Sequence, residues 1–436
     1  MTDRPVESGT AAQPWTCPFC PLLCDAFGVD VATFRLVGSD CRRAQAGLAQ
    51  FAPQSGARFD RSPAAAAQAR LDGQACAVDA AVTAAAQRLA ASRQPLFAGM
   101  GCDVAGARAL YTLALETGAI CDSAQGASLM HGLRALQDRG AFTTTLAEVR
   151  TRADLIVCMG GPPTEGLPEF FRRCGLHESL VAQRHVVIVG GDAAAADVSE
   201  FDGLAGISSQ HLPLQGDLFT TASVLATLVA GRTLRDARPG LVALAARLKA
   251  AAYGVIAWEA ARLPAHGALV VEAINRIVGT LNRSTRAAGL PLGGGDGAAT
   301  VNQVFTWLSG LPMRSRLGPL GLEHEPLCFD TTRLLADGTV DAMLWISSFR
   351  ATSPPPATSL PLIVLGPPAL ADSLDARAVF IPVSTPGIGS AGHVFRTDGV
   401  VLMPLRALRP DGLTSVADVI GRIGAALKTQ RAGLFA

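Results

Sequence analysis

Four of the ten cysteines of this 436-residue chain lie in one short stretch near the amino terminus, WTCPFCPLLCDAFGVDVATFRLVGSDC. Cys17, Cys20, Cys24 and Cys41 have the spacing C-x2-C-x3-C-x16-C. A tight loop can bring three thiolates together, and the turn and strand that follow can return a fourth. Four thiolates are the ligand set of an iron-sulfur cluster or of a structural zinc ion. The stretch therefore predicts a four-cysteine metal centre.

Two other interpretations of these cysteines are open. A disulfide framework fits less well, because the first 14 residues, MTDRPVESGTAAQP, contain no apolar signal core and cytosolic thiols are normally kept reduced. The cysteines can also be small buried apolar residues inherited from an ancestor that bound metal. We therefore weigh a bound metal centre against a buried group of free thiols.

The composition predicts a large apolar core and gives no indication of a charged partner. Hydrophobic residues make up 49% of the chain and charged residues 17%, and Lys plus Arg at 37 nearly balance Asp plus Glu at 36. A net charge of +1 creates no field that would collect nucleic acid or an anionic membrane. No apolar run reaches the roughly 18 residues that a membrane span needs. We expect a cytoplasmic protein without nucleic-acid or membrane partners, and the low charged fraction favours an assembly.

Short apolar runs alternate with Ala-rich helical segments, which predicts an α/β fold with several open, mostly parallel sheets flanked by helices. Helices are predicted at residues 75–91, 104–118 and 218–229, where the second ends in a Thr-Gly cap. Strands are predicted at residues 95–99, 153–159, 185–189, 254–258, 268–271, 341–346, 361–365 and 378–381.

Glycines follow several of these strands, at the sheet edge where open α/β sheets bind phosphates. The candidates are Gly99-Met100-Gly101, Gly160-Gly161, Gly190-Gly191-Asp192 and the loop at residues 293–297. Neither a P-loop nor a strand-linked G-x-G-x-x-G motif is present. For any one pair, a tight turn from strand to helix is the simpler interpretation.

The four cysteines, the arginine after the fourth, and four later segments resemble the molybdopterin oxidoreductases, in particular the B subunit of formylmethanofuran dehydrogenase. The segments are residues 118–137 (GAICDSAQGASLMHGLRALQ), 302–312, 340–347 and 381–400. The resemblance implies a molybdopterin oxidoreductase-like (formate dehydrogenase-like) fold around a pterin dinucleotide that holds molybdenum or tungsten, with a [4Fe-4S] cluster on Cys17, Cys20, Cys24 and Cys41.

The same resemblance implies an interleaved domain organisation. Residues 1–60 would form the four-cysteine region, and residues 61–436 an α/β core of two subdomains. We expect residues 61–150 to combine with 260–340, and residues 151–260 with 341–436.

Two departures from the redox enzymes predict that molybdopterin and tungstopterin are absent. The cysteine that binds the metal in the family falls at Ser128 in an ungapped alignment, and at Met130 when His131-Gly132 are aligned. Neither residue is a thiolate, although a serine oxygen ligates molybdenum in some relatives. In the sequence CMGGP, Gly161 stands where the family has a polar Asn or Asp that holds the pterin nucleotide.

The remaining pterin-site positions are therefore predicted to be vestigial: Gly160, Gly161, His393, Arg396 and Asp398. Without a pterin, Arg396 and Asp398 would bond each other and the backbone. His131 matches the family's active-site histidine and is a weak catalytic candidate. No H-E-x-x-H motif and no G-x-S-x-G motif is present.

The family segments together with the two departures at the pterin site resemble the B subunit of the bacterial formyltransferase/hydrolase complex. This complex is the non-redox relative of formylmethanofuran dehydrogenase in methylotrophic bacteria. The resemblance implies three partners, namely an A subunit of the amidohydrolase type together with the C and D formyltransferase subunits. Such a complex converts formyl-tetrahydromethanopterin to formate through a methanofuran-like carrier. We expect a structural subunit without catalysis of its own. The alternative is an active tungsten or molybdenum formylmethanofuran dehydrogenase subunit with Ser128 as the metal ligand.

Overall fold

The computed structural model describes residues 12–52, 68–163, 166–191, 201 and 203–434. In chain order, the strands are β1 (Gln13–Trp15), β2 (Phe27–Asp30), β3 (Arg35–Val37), β4 (Ala69–Leu71), β5 (Gln74–Cys76), β6 (Pro95–Gly101), β7 (Ile120–Cys121), β8 (Leu155–Met159), β9 (Arg184–Val189), β10 (Ile207–Leu212), β11 (Gly254–Glu259), β12 (Ala287–Leu292), β13 (Ser315–Gly318), β14 (Gly321–His324), β15 (Ala342–Ser347), β16 (Leu362–Gly366), β17 (Val379–Pro382), β18 (Gly392–Phe395) and β19 (Leu402–Leu405).

The α-helices are α1 (Arg42–Ala49), α2 (Val78–Ala91), α3 (Val104–Thr117), α4 (Gly126–Arg139), α5 (Leu146–Arg152), α6 (Phe170–Arg173), α7 (Leu218–Val229), α8 (Pro239–Ala250), α9 (Gly267–Leu281), α10 (Ala298–Ser309), α11 (Thr331–Ala336) and α12 (Val416–Leu434). Short 3-10 helices lie at Ala260–Arg262 and Pro368–Ser373. None of the helices in the described ranges is long and apolar enough to cross a membrane.

The larger sheet has the strand order β14-β13-β7-β6-β15-β16-β17-β4-β5. Its central strands, from β7 to β17, are parallel, and the strands at both edges are added antiparallel. Helix α12 contacts both α2 and α3, and the three helices share an apolar core with this sheet. The order of the parallel strands reverses between β6 and β15, and in open α/β sheets such a reversal leaves a crevice beyond the carboxyl ends of the strands.

The smaller sheet is wholly parallel, with the order β10-β9-β8-β11-β12. Here the order reverses between β8 and β11, so Gly160 and Gly161 lie at the second crevice. Helices α7, α8 and α9 cover one apolar core of this sheet. The other core is shared with the three-stranded sheet β1-β2-β3 and with α1, so the four-cysteine stretch packs against the smaller sheet.

The α/β prediction is confirmed: the smaller sheet is wholly parallel, and the larger sheet is mixed, with parallel central strands and antiparallel edges. The strand predicted at residues 268–271 is wrong, because these residues lie in α9. Buried residues recur there at Val270, Ile274, Ile277 and Leu281, which is helical spacing, and a window of four apolar residues is too short to reveal that period.

Two strand pairings connect segments that are far apart in the sequence. Strand β6 pairs with β15, so residues 342–382 continue the sheet of residues 95–121. Strand β12 pairs with β11, so residues 287–292 belong to the sheet of residues 155–259. Apolar runs predict strands but carry no information about which strands pair across long separations. In the predicted region of residues 1–60, residues 1–11 and 53–60 lie outside the described part.

Candidate functional site

The four cysteines lie in one buried core, which strands β1 to β3 and α1 share with the smaller sheet. Cys17, Cys20, Cys24 and Cys41 are each less than 7% exposed. The loop closes where the Cys17 amide donates to the Cys24 carbonyl at 2.8 Å, and Leu23 inside it has a left-handed φ of 46°. Strands β2 and β3 then return the chain so that Cys41 stands at the start of α1.

Burial raises the pKa of the Cys17 thiol, and the neighbouring thiols Cys20, Cys24 and Cys41 raise it further. All four cysteines belong to the same buried core. Burial also raises the pKa of Cys20 to about 11, where the charge of Arg43 opposes the rise. Thiols in this state are protonated, and ligation requires the thiolate. None of the ten cysteines, all of them described, is in a disulfide.

Two arginines flank this group of thiols. Arg43 donates from Nε to the Phe19 carbonyl at 2.6 Å. The charge of Arg173 lowers the pKa of Cys24 against the larger effect of burial. Within the described ranges the buried Nε of Arg173 has no hydrogen-bond partner. Positive groups beside buried thiols favour the thiolate form.

The cleft at Gly160 and Gly161 is nearly closed. These glycines have φ angles of 92° and 117°, and the lining formed by described residues encloses about 10 Å3. That volume holds about one water molecule. Arg262, in the 3-10 helix after β11, donates from Nη1 to the Pro162 carbonyl at 2.9 Å and forms one wall.

A larger cavity of about 370 Å3 lies between α4, α10, the end of β12 and the loop at residues 397–400. Ser128 lines it, and its hydroxyl donates to the Gln125 carbonyl at 2.9 Å. Met130 is 4% exposed and is not among the lining residues. The helical period thus places Ser128, rather than Met130, at the cavity.

His131 lies half-buried beside Gly267, on a part of α4 that does not line this cavity. Burial lowers its pKa, and the charges of Arg134 and Arg314 lower it further. With a lowered pKa, the ring is neutral at pH 7. The ring also lies outside the lining of the cavity that includes Ser128. The structure does not bring His131 and Ser128 together in one site.

The loop at residues 393–398 is stabilised from within. Arg396 donates from Nε to Asp398 Oδ2 at 2.8 Å, and the Leu146 amide donates to the same oxygen at 3.2 Å. The Val401 amide donates to Asp398 Oδ1 at 3.3 Å. His393 is exposed on β18. Of these three residues, Asp398 lines the large cavity.

The crevice of the larger sheet, beside Gly99-Met100-Gly101, is filled by the loop at residues 293–297. A Cβ on Gly101 would stand 2.9 Å from the Asp296 carbonyl, and one on Gly297 would stand 2.4 Å from the Cys102 carbonyl. These glycines therefore serve close backbone packing. Of the remaining candidate, Gly190-Gly191-Asp192, the aspartate lies outside the described residues.

No model of a protein family matches the sequence. A relative in Methylorubrum extorquens, the B subunit of its formyltransferase/hydrolase complex, is 33% identical over 330 residues, which is 74% of this chain and 86% of the relative. The chain belongs to the family of formyltransferase/hydrolase complex B subunits.

A solved structure agrees with this family assignment. One chain in the crystal structure of the formyltransferase/hydrolase complex from Methylorubrum extorquens, determined in complex with methylofuran, superimposes with a TM-score of 0.72 at 30% identity. The match covers 84% of this chain and 99% of that chain.

More distant relatives of this formyltransferase/hydrolase B subunit carry the names of dehydrogenase subunits. The B subunit of the tungsten-containing formylmethanofuran dehydrogenase 2 of Methanococcus maripaludis is 26% identical, over 93% of this chain and 96% of the relative. The subunit of the same name in Methanocaldococcus jannaschii is also 26% identical, over 90% and 93%.

In this B subunit, the described residues do not fit a pterin dinucleotide. The Gly160-Gly161 cleft has no room for a nucleotide, and no Lys, Arg or His lines the cavity beside Ser128 to hold a phosphate. The first amides of α10, at Ala298 and Ala299, already donate to the carbonyls of Gly295 and Gly294. The helix end that could hold an anion is thus closed by its own loop.

The four thiols supply the donor type that an iron-sulfur cluster needs. No group of three or more His, Cys, Asp or Glu in the described part of this B subunit is placed to hold one metal ion. The donor set, the burial and the unpaired Arg173 Nε agree with a [4Fe-4S] group, which is negatively charged when bound to four thiolates.

The sequence did not indicate several residues of these sites. Arg262 gave no motif, although its place four residues after the strand predicted at residues 254–258 was a usable signal. Gln125 and Asn302 fell inside segments that carried the family resemblance, yet an isolated amide side chain is common on any surface. Trp258, which lines both the cleft and the cavity, was predicted only as part of a buried strand.

Proposed function

We propose that this chain is the structural, non-redox B subunit of a formyltransferase/hydrolase complex. With an amidohydrolase-type partner as the A subunit, plus the C and D formyltransferase subunits, it would convert formyl-tetrahydromethanopterin to formate in one-carbon metabolism. The main evidence for this proposal is the 33% identity to the Methylorubrum extorquens protein over 74% of the chain. The structural likeness, which covers 99% of the related chain in the solved complex, supports it.

The proposal includes a molybdopterin oxidoreductase-like fold that binds no pterin. Support comes from Ser128, which supplies no thiolate at the cavity, and from Arg262, which fills the strand-end cleft. In this interpretation the fold contributes shape and packing to the assembly. Its own residues carry out no step of formyl transfer or hydrolysis.

We further propose that Cys17, Cys20, Cys24 and Cys41 hold a [4Fe-4S] cluster with a structural role. A bound cluster would tie the loop of the first three thiols to the start of α1 and could exchange an electron. The described residues contribute buried surroundings for it, and Arg43 and Arg173 offset the charge of the thiolates. The bound cluster would thereby stabilise the packing of strands β1 to β3 and α1 on the smaller sheet.

The experiment is co-expression of this chain with A, C and D subunits of a formyltransferase/hydrolase complex, followed by anaerobic purification on a tag carried by the amidohydrolase-type A subunit. We expect the chain to co-purify and the complex to release formate from formyl-tetrahydromethanopterin. Tungsten and molybdenum should be absent by elemental analysis. A control without this chain should yield a smaller, unassembled product. Failure to co-purify would contradict the proposed function.

The competing function is a formylmethanofuran dehydrogenase catalytic subunit. The 26% identity to two tungsten-containing relatives over at least 90% of the chain favours it. It requires stoichiometric tungsten or molybdenum and a redox activity with formate or carbon dioxide. The same preparation tests it, because the metal found with the pure complex supports one function and contradicts the other.

A further inference from the structure

The cavity lined by Ser128 has the size and composition of a small-molecule site. Its volume of about 370 Å3 lies within the range of roughly 300–1,000 Å3 that is typical of ligand pockets. Its walls are mainly apolar, with Leu129 and Leu133 on α4 and Val271 on α9. The indole of Trp258 adds an aromatic surface.

The cavity is not suited to a charged molecule. No Lys, Arg or His is among its described lining residues, and Asp398 is the one acidic residue there. Both oxygens of Asp398 are already taken by Arg396 and by backbone amides. A charged ligand would lose its hydration against an apolar wall without gaining a counter-charge, which is costly.

Amide side chains in the lining have one end fixed and the other free to bind. Gln125 Oε1 accepts from the Gly294 amide at 3.2 Å, and Asn302 Oδ1 accepts from the Met313 amide at 3.1 Å. A backbone amide can only donate, so these bonds identify the oxygens and leave the two NH2 groups as donors. Neither NH2 group has a hydrogen-bond partner among the described residues.

Asn275 supplies the complementary group. Its Nδ2 donates to the Gly140 carbonyl at 3.3 Å, and a carbonyl can only accept, so its Oδ1 remains as an acceptor. These three amides therefore offer two donors and one acceptor, beside the Gln303 amide and the hydroxyls of Ser128, Thr143 and Thr397, in a cavity whose other walls are mainly apolar. This pattern is complementary to a carbonyl and an N–H group on an apolar body.

We infer that the cavity binds a small uncharged molecule that combines an apolar, ring-sized body with an amide or lactam group. The inference rests on the cavity alone and stands whether or not the chain assembles as proposed above. It assigns to the cavity beside Ser128 a ligand-binding role in which the ligand needs neither a metal nor a phosphate group.

Three probes of nearly equal shape separate charge from fit: benzamide, benzoate and benzamidine. We would measure their binding to the full-length chain by ligand-observed saturation-transfer NMR. From saturation-transfer titrations, benzamide should show a Kd at least about fivefold lower than that of either charged probe, a discrimination of roughly 1 kcal/mol. Equal Kd values for all three, or no binding of benzamide, would overturn the inference.

A cavity-filling variant locates the binding. Gly132 lines the cavity in the middle of α4, and a Cβ there would meet no atom within 4 Å. Gly132→Leu should therefore fold and abolish the benzamide signal. The matched control is Gly421→Leu on α12, another helical glycine with nothing within 4 Å of its Cβ and outside the cavity lining. Loss of the signal in both variants, or in neither, would contradict binding in this cavity.

The failure of this inference is distinguishable from failure of the proposed function. Circular dichroism and thermal unfolding show whether Gly132→Leu is folded, and co-purification with the amidohydrolase-type partner reports assembly independently of the probe. If Gly132→Leu misfolds, the comparison of the three probes on the unaltered chain still decides the inference.

Discussion

The guanidinium of Arg262 occupies the space that a side chain on Gly161 would need. A Cβ at position 161 would stand 3.2 Å from Nη2 of Arg262 and the same distance from the Cα of Gly191. Arg262 is also bonded to the carbonyl of the next residue, Pro162. The absence of a polar side chain at position 161 and the closure of the cleft are therefore parts of one packing arrangement.

Replacing Gly161 by Ala should destabilise the chain. The φ of 117° at this position is one that side-chain-bearing residues rarely adopt, and the new methyl group would press against Gly191. We expect a loss of about 1–3 kcal/mol in the free energy of unfolding, measured with urea. An unchanged free energy would mean that the backbone at residue 161 relaxes without cost.

Two glycines of α4 should respond to Ala in opposite directions. At Gly132 the added methyl group meets open space inside a helix, so Gly132→Ala should raise the free energy of unfolding by about 0.5–1 kcal/mol. At Gly126 a Cβ would stand 2.1 Å from Asp122 Oδ1, so Gly126→Ala should lower it. The same urea titration measures both, and a gain at Gly126 would refute the packing around Asp122.

The sequence alone predicted the strands whose apolar runs are continuous. Residues 361–365 and 185–189 are strands in the structure within one or two residues, because a strand buried on both faces is apolar at every position. The apolar helix α7 was predicted for the same reason. Short strands such as β13 and β14, with alternating or polar residues, gave no comparable signal.

The site was less predictable than the fold, because it depends on contacts between distant segments. The resemblance to the family selected residues 124–132 but left Ser128 and Met130 as alternatives, and only the helix orientation separates them. Arg262 fills a cleft formed by a loop about 100 residues earlier in the chain. No local pattern encodes such a contact.

The iron content of the complex should depend on the four clustered cysteines alone. We expect about four irons per chain in anaerobically purified protein, as one four-thiolate cluster holds. Cys24→Ser should abolish this iron, since Cys24 is 3% exposed within the group of thiols. Cys76→Ser, at a half-buried cysteine outside the group, is the matched control and should retain it. Iron below one atom per chain in the unaltered protein would disprove the cluster. Stoichiometric zinc in its place would show that the four cysteines hold a zinc ion instead.

The ion pair of Arg396 and Asp398 should be stabilising only as a pair. Their side chains are 8% and 0% exposed, so Asp398→Ala would leave a buried guanidinium without its partner. We expect Asp398→Ala to lower the free energy of unfolding by about 3–5 kcal/mol. The double variant Arg396→Met with Asp398→Leu should lose less free energy of unfolding than Asp398→Ala. A larger loss in the double variant would show that the attraction within the pair exceeds the cost of burying its two charges.

The chain should lose stability through Asp296 as the pH rises between about 4 and about 6. Burial raises the pKa of this carboxyl to about 6, against the charge of Arg43, while an unfolded chain has a value of about 3.9. Between these values the folded state holds more protons than the unfolded state, so the free energy of unfolding falls with rising pH. Asp296→Asn does not titrate, tolerates the left-handed φ of 53° and keeps an oxygen for Arg350, which bonds Asp296 at 2.8 Å.

The difference in the free energy of unfolding, variant minus unaltered chain, should therefore increase from pH about 4 to about 6 and be constant above. Urea titrations at several pH values across this window measure it. The offset between the protonated carboxyl and the amide does not change with pH, because the amide does not titrate and the guanidinium of Arg350 stays protonated. A difference that decreases across the window would mean that Arg350 outweighs burial and holds the pKa of Asp296 below its ordinary value.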